Sequence, residues 1–225
     1  MSHPAAHSST VQSTAGSTAE FSAGSDASLS GPARIIVVRH GATEWSTIGR
    51  HTGRTDLELT AEGEAQARAV APLLASVVDQ PEPLVFTSPL RRAAATAALA
   101  LPQYEATVVD SLVEFDYGAY EGLTTPEIFD RDADWNLFRQ GCPGGESASQ
   151  VVARCDSFIA KLERMAVGRV VVAFTHGHLS RILSMRLLQL PTESAAALYN
   201  ETASVGVMDA RRDRFVLVGW NRQAM

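Results

Sequence analysis

Two short, almost wholly aliphatic runs, each ending in a histidine beside a glycine, constrain this chain more than anything else in it. The first, Ile35-Ile36-Val37-Val38, follows Gly31-Pro32 and leads through Arg39 and His40 to Gly41; the second lies within Arg169–Thr175 and leads to His176 and Gly177. A run of apolar, largely β-branched residues with no polar alternation predicts a strand buried on both faces, as in a parallel sheet covered by helices on either side. In open α/β sheets the ligand crevice lies beyond the carboxyl ends of the strands, so Arg39 and His40 are delivered to where such folds do chemistry. Gly41 lets the backbone turn there and approach a ligand closely.

The intervening pattern supports an α/β chain. Leu84–Thr87 and Ala106–Val109 read as further strands, and 204–208 with 215–220 as a hairpin around Arg211-Arg212-Asp213. Thr60 suits the N-cap of a helix carrying Val70, Leu73, Leu74 and Val77, kinked at Pro72. Pro89 fits the first turn of a helix through Arg92, Thr96 and Leu99. Ser147 and Gln150 form a capping box ahead of Val151, Cys155, Phe158, Ile159 and Leu162, and a last helix carries Leu179, Ile182, Leu183 and Leu187. Residues 45–59 show no period and read as a surface loop, with His51 on the surface. The aromatic, glycine-containing span 115–146 reads as a small cap. Residues 1–33, rich in Ser, Ala and Thr, have too few bulky apolar residues to offset ordering entropy and are expected to be a disordered tail, His3 and His7 being incidental.

With 225 residues, one domain over 34–225 is expected. The net charge of −6 argues against a nucleic-acid partner, and no apolar run is long enough to span a membrane. Cys142 and Cys155 match neither a metal spacing nor a secreted disulfide framework, so a reducing, cytoplasmic setting with structural thiols is expected. His176 and His178 have no carboxylate or cysteine at a matching spacing; neither a metal nor any other cofactor is expected.

Four ordered motifs then narrow the reading: Arg39-His40-Gly41, Ser88-Pro89-Leu90-Arg91-Arg92-Ala93, Glu114 ahead of Tyr117-Gly118, and Thr175-His176-Gly177-His178. Over roughly residues 34–220 the chain resembles the histidine phosphatase, or phosphoglycerate mutase-like, superfamily. The resemblance implies a three-layer fold, with a mostly parallel central sheet and helices on both faces. It further implies that His40 is transiently phosphorylated and that Glu114 is the proton donor. The run from Tyr117 to Gly122, with Asp134-Trp135 and Gly145-Glu146-Ser147, looks like the acid-phosphatase branch and its sedoheptulose-bisphosphatase-like relatives.

The chemistry agrees. Phosphoryl transfer needs an in-line nucleophile and positive charge around the equatorial oxygens. A neutral His40 supplies the first; Arg39 and Arg92, with planar forks matched to phosphate, and a protonated His176 supply the second. Glu114 would protonate the leaving oxygen and then activate water, with Glu121 a rival read as structural. Ser46, Thr52, Gly53, Tyr117, Gly177 and His178 are the expected substrate contacts, His178 being open between donating to substrate and capping its helix. Ala42 and Ser46 stand where many family members carry Glu and Asn, which puts substrate positioning in question.

The short Glu114–His176 interval, with only Arg131 and Arg139 as basic residues across 115–146, favours hydrolysis over mutase chemistry. The expectation is a metal-independent phosphatase acting on a small phosphorylated metabolite such as a sugar phosphate. A cofactor-dependent phosphoglycerate mutase and a non-catalytic phosphate-binding protein are the alternatives, and a homodimer is left open.

Overall fold

A computed structural model of the chain describes residues 31–212 and 214–224. The tail expected over 1–33 thus lies outside the described residues up to position 30, as does Asp213 of the expected Arg211-Arg212-Asp213 turn. Residues 31–33 are tied to the body, since Gly168 N donates to the Gly31 carbonyl and Ala33 N to that of Arg169, each 2.9 Å.

Six strands form one sheet in the order β3-β2-β4-β1-β5-β6: β1 Arg34–Arg39, β2 Leu84–Thr87, β3 Thr107–Val108, β4 Val170–Thr175, β5 Val205–Arg211 and β6 Arg214–Arg222. Strands β1 to β4 run parallel; β5 is antiparallel to both β1 and β6, which closes the sheet with the expected hairpin. Because side chains alternate across a strand, the two aliphatic runs feed two cores. Ile35, Val37, Val171 and Ala173 enter one; Ile36, Val38, Val170, Val172 and Phe174 enter the other. That is the physical content of a strand with no polar face.

The helices are α1 Glu44–Thr47, α2 Ala61–Ala69, α3 Ala71–Val77, α4 Arg91–Ala100, α5 Thr125–Phe129, α6 Leu137–Gln140, α7 Ala148–Met165 and α8 Gly177–Leu187. Val70, Leu74, Val77, Ala97 and Ala100 cover one face of the sheet; α7 and α8 cover the other through Val151, Cys155, Phe158, Leu162, Leu179, Ile182 and Leu183. Thr60 caps α2 by accepting from Gly63 N, and Ser147 and Gln150 form the expected capping box on α7. Pro72 does more than kink its helix: it lies in the first turn of a separate helix, α3.

Several local expectations are corrected. Pro89 precedes the Leu90 N-cap of α4, so Arg92 is only its second residue. The segment read as a loop from Trp45 begins inside α1, held by a capping box between Thr43 and Ser46. The span 115–146 does not stand clear of the core, since Phe115, Tyr117, Tyr120, Trp135 and Phe138 are buried in the same cluster as Ile35 and Val37. Both cysteines are free and buried, with their thiols pushed up to about 12, chiefly by burial.

Candidate active site

Register sets the site. In the β1/β4 pair Arg39 lies opposite Thr175, so the next residues, His40 and His176, emerge side by side at the carboxyl end of the sheet. Their rings stand edge to face, 5.2 Å between centroids. The neighbouring strand β2 ends at Thr87, and from its exit come buried Ser88 and, on α4, fully buried Arg92. Residues 84 positions apart therefore meet: Arg92 Nε donates to His176 Nδ1 at 3.2 Å, and His176 Nε2 meets Ser88 Oγ at 2.8 Å.

These contacts fix the tautomers. A carbonyl can only accept, so His40 Nδ1 carries the proton it donates to the Gly41 carbonyl at 2.7 Å. That leaves Nε2 as a lone pair. Burial, followed by the Arg92 and Arg39 guanidinium groups, holds His40 well below the ordinary histidine value. His176 accepts from a guanidinium at Nδ1, so its proton is on Nε2 and its ring is neutral. Burial, then Arg92 and His40, depress it well below its ordinary value too. The expectation was of a His176 protonated beside a bound anion; in the ligand-free site both of its nitrogens are engaged within the protein.

The two arginines differ. Arg39 donates through Nη1 to the Asn200 carbonyl at 2.7 Å, lies against Gly177, and keeps a buried Nε with no partner. Arg92 spends its fork on the chain: Nη1 donates to the Thr55 carbonyl at 2.9 Å, and Nη2 to those of Thr52 and Gly53 at 3.0 and 2.9 Å. It fixes the 52–55 loop and delivers positive charge beside His40 from below.

Glu114 is buried and accepts three backbone N–H groups, from Phe115 and Leu179 at Oε1 and from His178 at Oε2, all 2.9–3.0 Å. It is thereby set against the N-terminus of α8, where negative charge is favoured. Glu121, read as structural, accepts from Gly53 N and Thr55 N and so holds the same loop that Arg92 grips.

Above these groups opens a cavity of about 540 Å³, well inside the range of small-molecule sites. Arg39, His40, Ser46, Thr52, Glu114, Tyr117, Gly177 and His178 line it; Arg92, His176 and Gly53 lie behind that lining. The two departures at Ala42 and Ser46 are absorbed locally. Ala42 N donates to Gln66 Oε1 at 2.9 Å, and Ser46 Oγ pairs with Thr43 N and the Thr43 carbonyl. His178 is not a cap, since His176 holds the N-cap position and makes no side-chain cap bond.

Three basic lining residues escaped the sequence reading. His51 is buried, not on the surface; Arg50 and Arg181 also face the cavity, whereas Arg131 and Arg139 are exposed and do not. A lone histidine carries no local signal, and Arg181 lies on a helix that was read only for its apolar residues Leu179, Ile182, Leu183 and Leu187. Among the described residues, no group of three or more His, Cys, Asp or Glu is disposed to hold a metal ion, and no helix is long and apolar enough to cross a membrane.

Comparison with known proteins agrees with this geometry. The chain is 46% identical over 176 residues to an acid phosphatase of Mycobacterium tuberculosis, covering 77% of this chain and 85% of that one. It is 32% identical over 203 residues to the sedoheptulose 1,7-bisphosphatase of Saccharomyces cerevisiae, covering 78% and 75%. The solved structure of an open reading frame from M. tuberculosis superposes with a TM-score of 0.81 at 39% identity, covering 85% of this chain and 98% of that one. Residues 35–223 match the family model for the histidine phosphatase superfamily, branch 1. The chain belongs to that superfamily and is an enzyme of its hydrolase type.

Proposed function

We propose that the protein is a metal-independent phosphomonoesterase that hydrolyses small phosphorylated metabolites, sugar phosphates among them, through a phosphohistidine at His40. The observation that supports this most is the locked tautomer of His40, whose Nδ1–H is spent on the Gly41 carbonyl while Nε2 is left bare beside two guanidinium groups. Nε2 attacks phosphorus in line; the P–O bond to the organic group breaks as the N–P bond forms. Arg39 meets the equatorial oxygens directly, and Arg92 adds its field through the buried floor that it shares with His176. Glu114 gives the leaving oxygen its proton and then takes one from the water that cleaves the N–P bond, releasing inorganic phosphate and restoring His40. The acid phosphatase and sedoheptulose bisphosphatase relatives fit this substrate class.

The test compares the wild type with Glu114→Gln on alkyl esters and on 4-nitrophenyl phosphate, with no metal added and a chelator present. Alkyl phosphates need the acid, so the variant should lose roughly 10²- to 10⁴-fold on them and far less on the nitrophenyl ester. Equal losses would remove Glu114 from the role. A His40→Ala enzyme that still released phosphate would remove the nucleophile. A second reading, mutase chemistry on a substrate with another anionic group, draws support from Arg50 and Arg181 at the cavity wall. Isomerisation of 3-phosphoglycerate in a bisphosphate-primed assay would favour it; the absence of any isomer would retire it.

A further inference from the structure

Beside the phosphoryl pocket the cavity wall carries a second pair of imidazoles, His51 and His178, stacked with ring centroids 5.5 Å apart and planes 16° from parallel. Their orientation is fixed from outside the pair. Tyr117 packs edge-on to both rings, Trp135 to His51 and Phe138 to His178, at centroid distances of 4.9–5.9 Å. His51 Nδ1 donates to the Leu123 carbonyl at 2.9 Å, so its Nε2 is an acceptor. The Tyr117 hydroxyl, on a fully buried ring whose pKa burial raises well above the usual phenol value, meets His178 Nδ1 at 2.5 Å. Among the described residues that nitrogen is the hydroxyl's only partner, and a buried phenol that satisfies its O–H there leaves His178 with its own proton on Nε2. Among the described residues neither Nε2 has a protein partner. Neither is sealed away: among the described residues the fully buried side-chain nitrogen without a partner is Arg39 Nε. The pair therefore offers the cavity one acceptor and one donor.

We infer that His51 and His178 form a hydroxyl-recognition subsite, which selects phosphate esters carrying hydroxyl groups on the carbons next to the ester. This rests on the phosphatase reading, since the ester must be held at His40. One hydroxyl donates to His51 Nε2 while a neighbouring one accepts from His178 Nε2–H; a single hydroxyl can also bridge the two. Both rings are held below the ordinary histidine value, chiefly by burial. A neutral donor and acceptor suit neutral hydroxyls and give a second anionic group little purchase. His178 also donates its backbone N–H to Glu114 Oε2 at 2.9 Å, so a hydroxyl bound here aligns the ester next to the candidate acid.

The test uses two esters with alkoxide leaving groups, glycerol 3-phosphate and n-propyl phosphate, which differ in the two hydroxyls. For the wild type the ratio of kcat/KM should favour glycerol 3-phosphate by about 10-fold or more, as two hydrogen bonds allow. His51→Phe and His178→Phe should each bring the ratio towards one, and His51→Gln, which keeps an acceptor, should restore part of it. A wild-type ratio near one with turnover of both esters overturns the subsite and leaves the phosphatase reading standing. So does a ratio that neither phenylalanine variant moves while both unfold like the wild type. Phosphate release from neither ester overturns both.

Discussion

His40 is made available by a single hydrogen bond to its own neighbour's carbonyl, and it is kept uncharged by where it sits. Burial acts first, then Arg92 and Arg39, and all three oppose the imidazolium. At pH 6.5, where an exposed histidine is half protonated, ¹⁵N spectra of the imidazoles should therefore show His40 as the neutral Nδ1–H form. An imidazolium signal for His40 at that pH would contradict the geometry. The glycine two residues beyond His51 is equally constrained. A Cβ on Gly53 would come 2.3 Å from the Phe115 carbonyl oxygen and 2.6 Å from Glu121 Oε2, so Gly53→Ala must push the 52–55 loop away from both. Overpacking of that kind costs about 1–3 kcal/mol. It also pulls the Thr52 and Gly53 carbonyls from Arg92. The expected outcome is a thermal midpoint lower by several degrees together with a reduced kcat. A variant with unaltered melting and rate would show that the loop is free to move.

At the scale of elements, α2 is what holds the loop that follows His40. Its cap residue Thr60 donates N–H to the Ala42 carbonyl at 2.9 Å, and a Cβ on Gly63 would meet that same carbonyl oxygen at 2.0 Å. Gly41 packs in turn on the Gly63 carbonyl, so helix and loop touch backbone to backbone. Gly63→Ala would favour the helix by about 1 kcal/mol on propensity alone, yet contact with the loop should reverse the sign. We expect net destabilisation in urea unfolding and a larger fractional loss in kcat than in stability-matched variants elsewhere; a more stable, fully active Gly63→Ala protein would refute the contact. This packing was not legible in the sequence, and the reason generalises. Elements with one dominant local signal, such as the aliphatic runs of β1 and β4, the capping box on α7 and the hairpin of β5 and β6, were read correctly because the signal is carried by adjacent residues. The buried aromatic span 115–146 has short helices and irregular turns, so no period marks it as core. His51 owes its burial to Tyr117, Trp135 and His178, the last of them 127 positions away, and nothing beside it in the chain announces that.

For the molecule as a whole, gathering neutral histidines into one site has a consequence for stability. His40, His176 and His178 are each held well below the ordinary value of 6.5 in the folded chain, burial being the first cause in every case, and His51 is lowered too. The unfolded chain binds protons at these groups from about pH 6.5 downward while the folded chain does not. Above that pH they leave stability untouched; as pH falls from 6.5 towards the lowered folded values, stability is lost. Each group contributes up to about 1.4 kcal/mol per pH unit, so three together reach about 4, against a total of roughly 5–15 kcal/mol for a domain. The buried end of β5 works in another window. Arg34 pairs with Asp209 at 2.6 Å and lowers that carboxyl, so its contribution is present above the ordinary aspartate value of 3.8 and lost only as pH falls through the lower folded one. Acid unfolding should therefore set in between pH 6.5 and 5, before carboxylates titrate. Urea melts across that interval should show stability rising steeply with pH. His178→Phe removes one of the three proton-uptake differences and should reduce the slope, by up to about 1.4 kcal/mol per pH unit. A slope near zero above pH 5 would mean that the folded protein accepts protons on these rings, and that the site is wetter and less enclosed than its geometry requires.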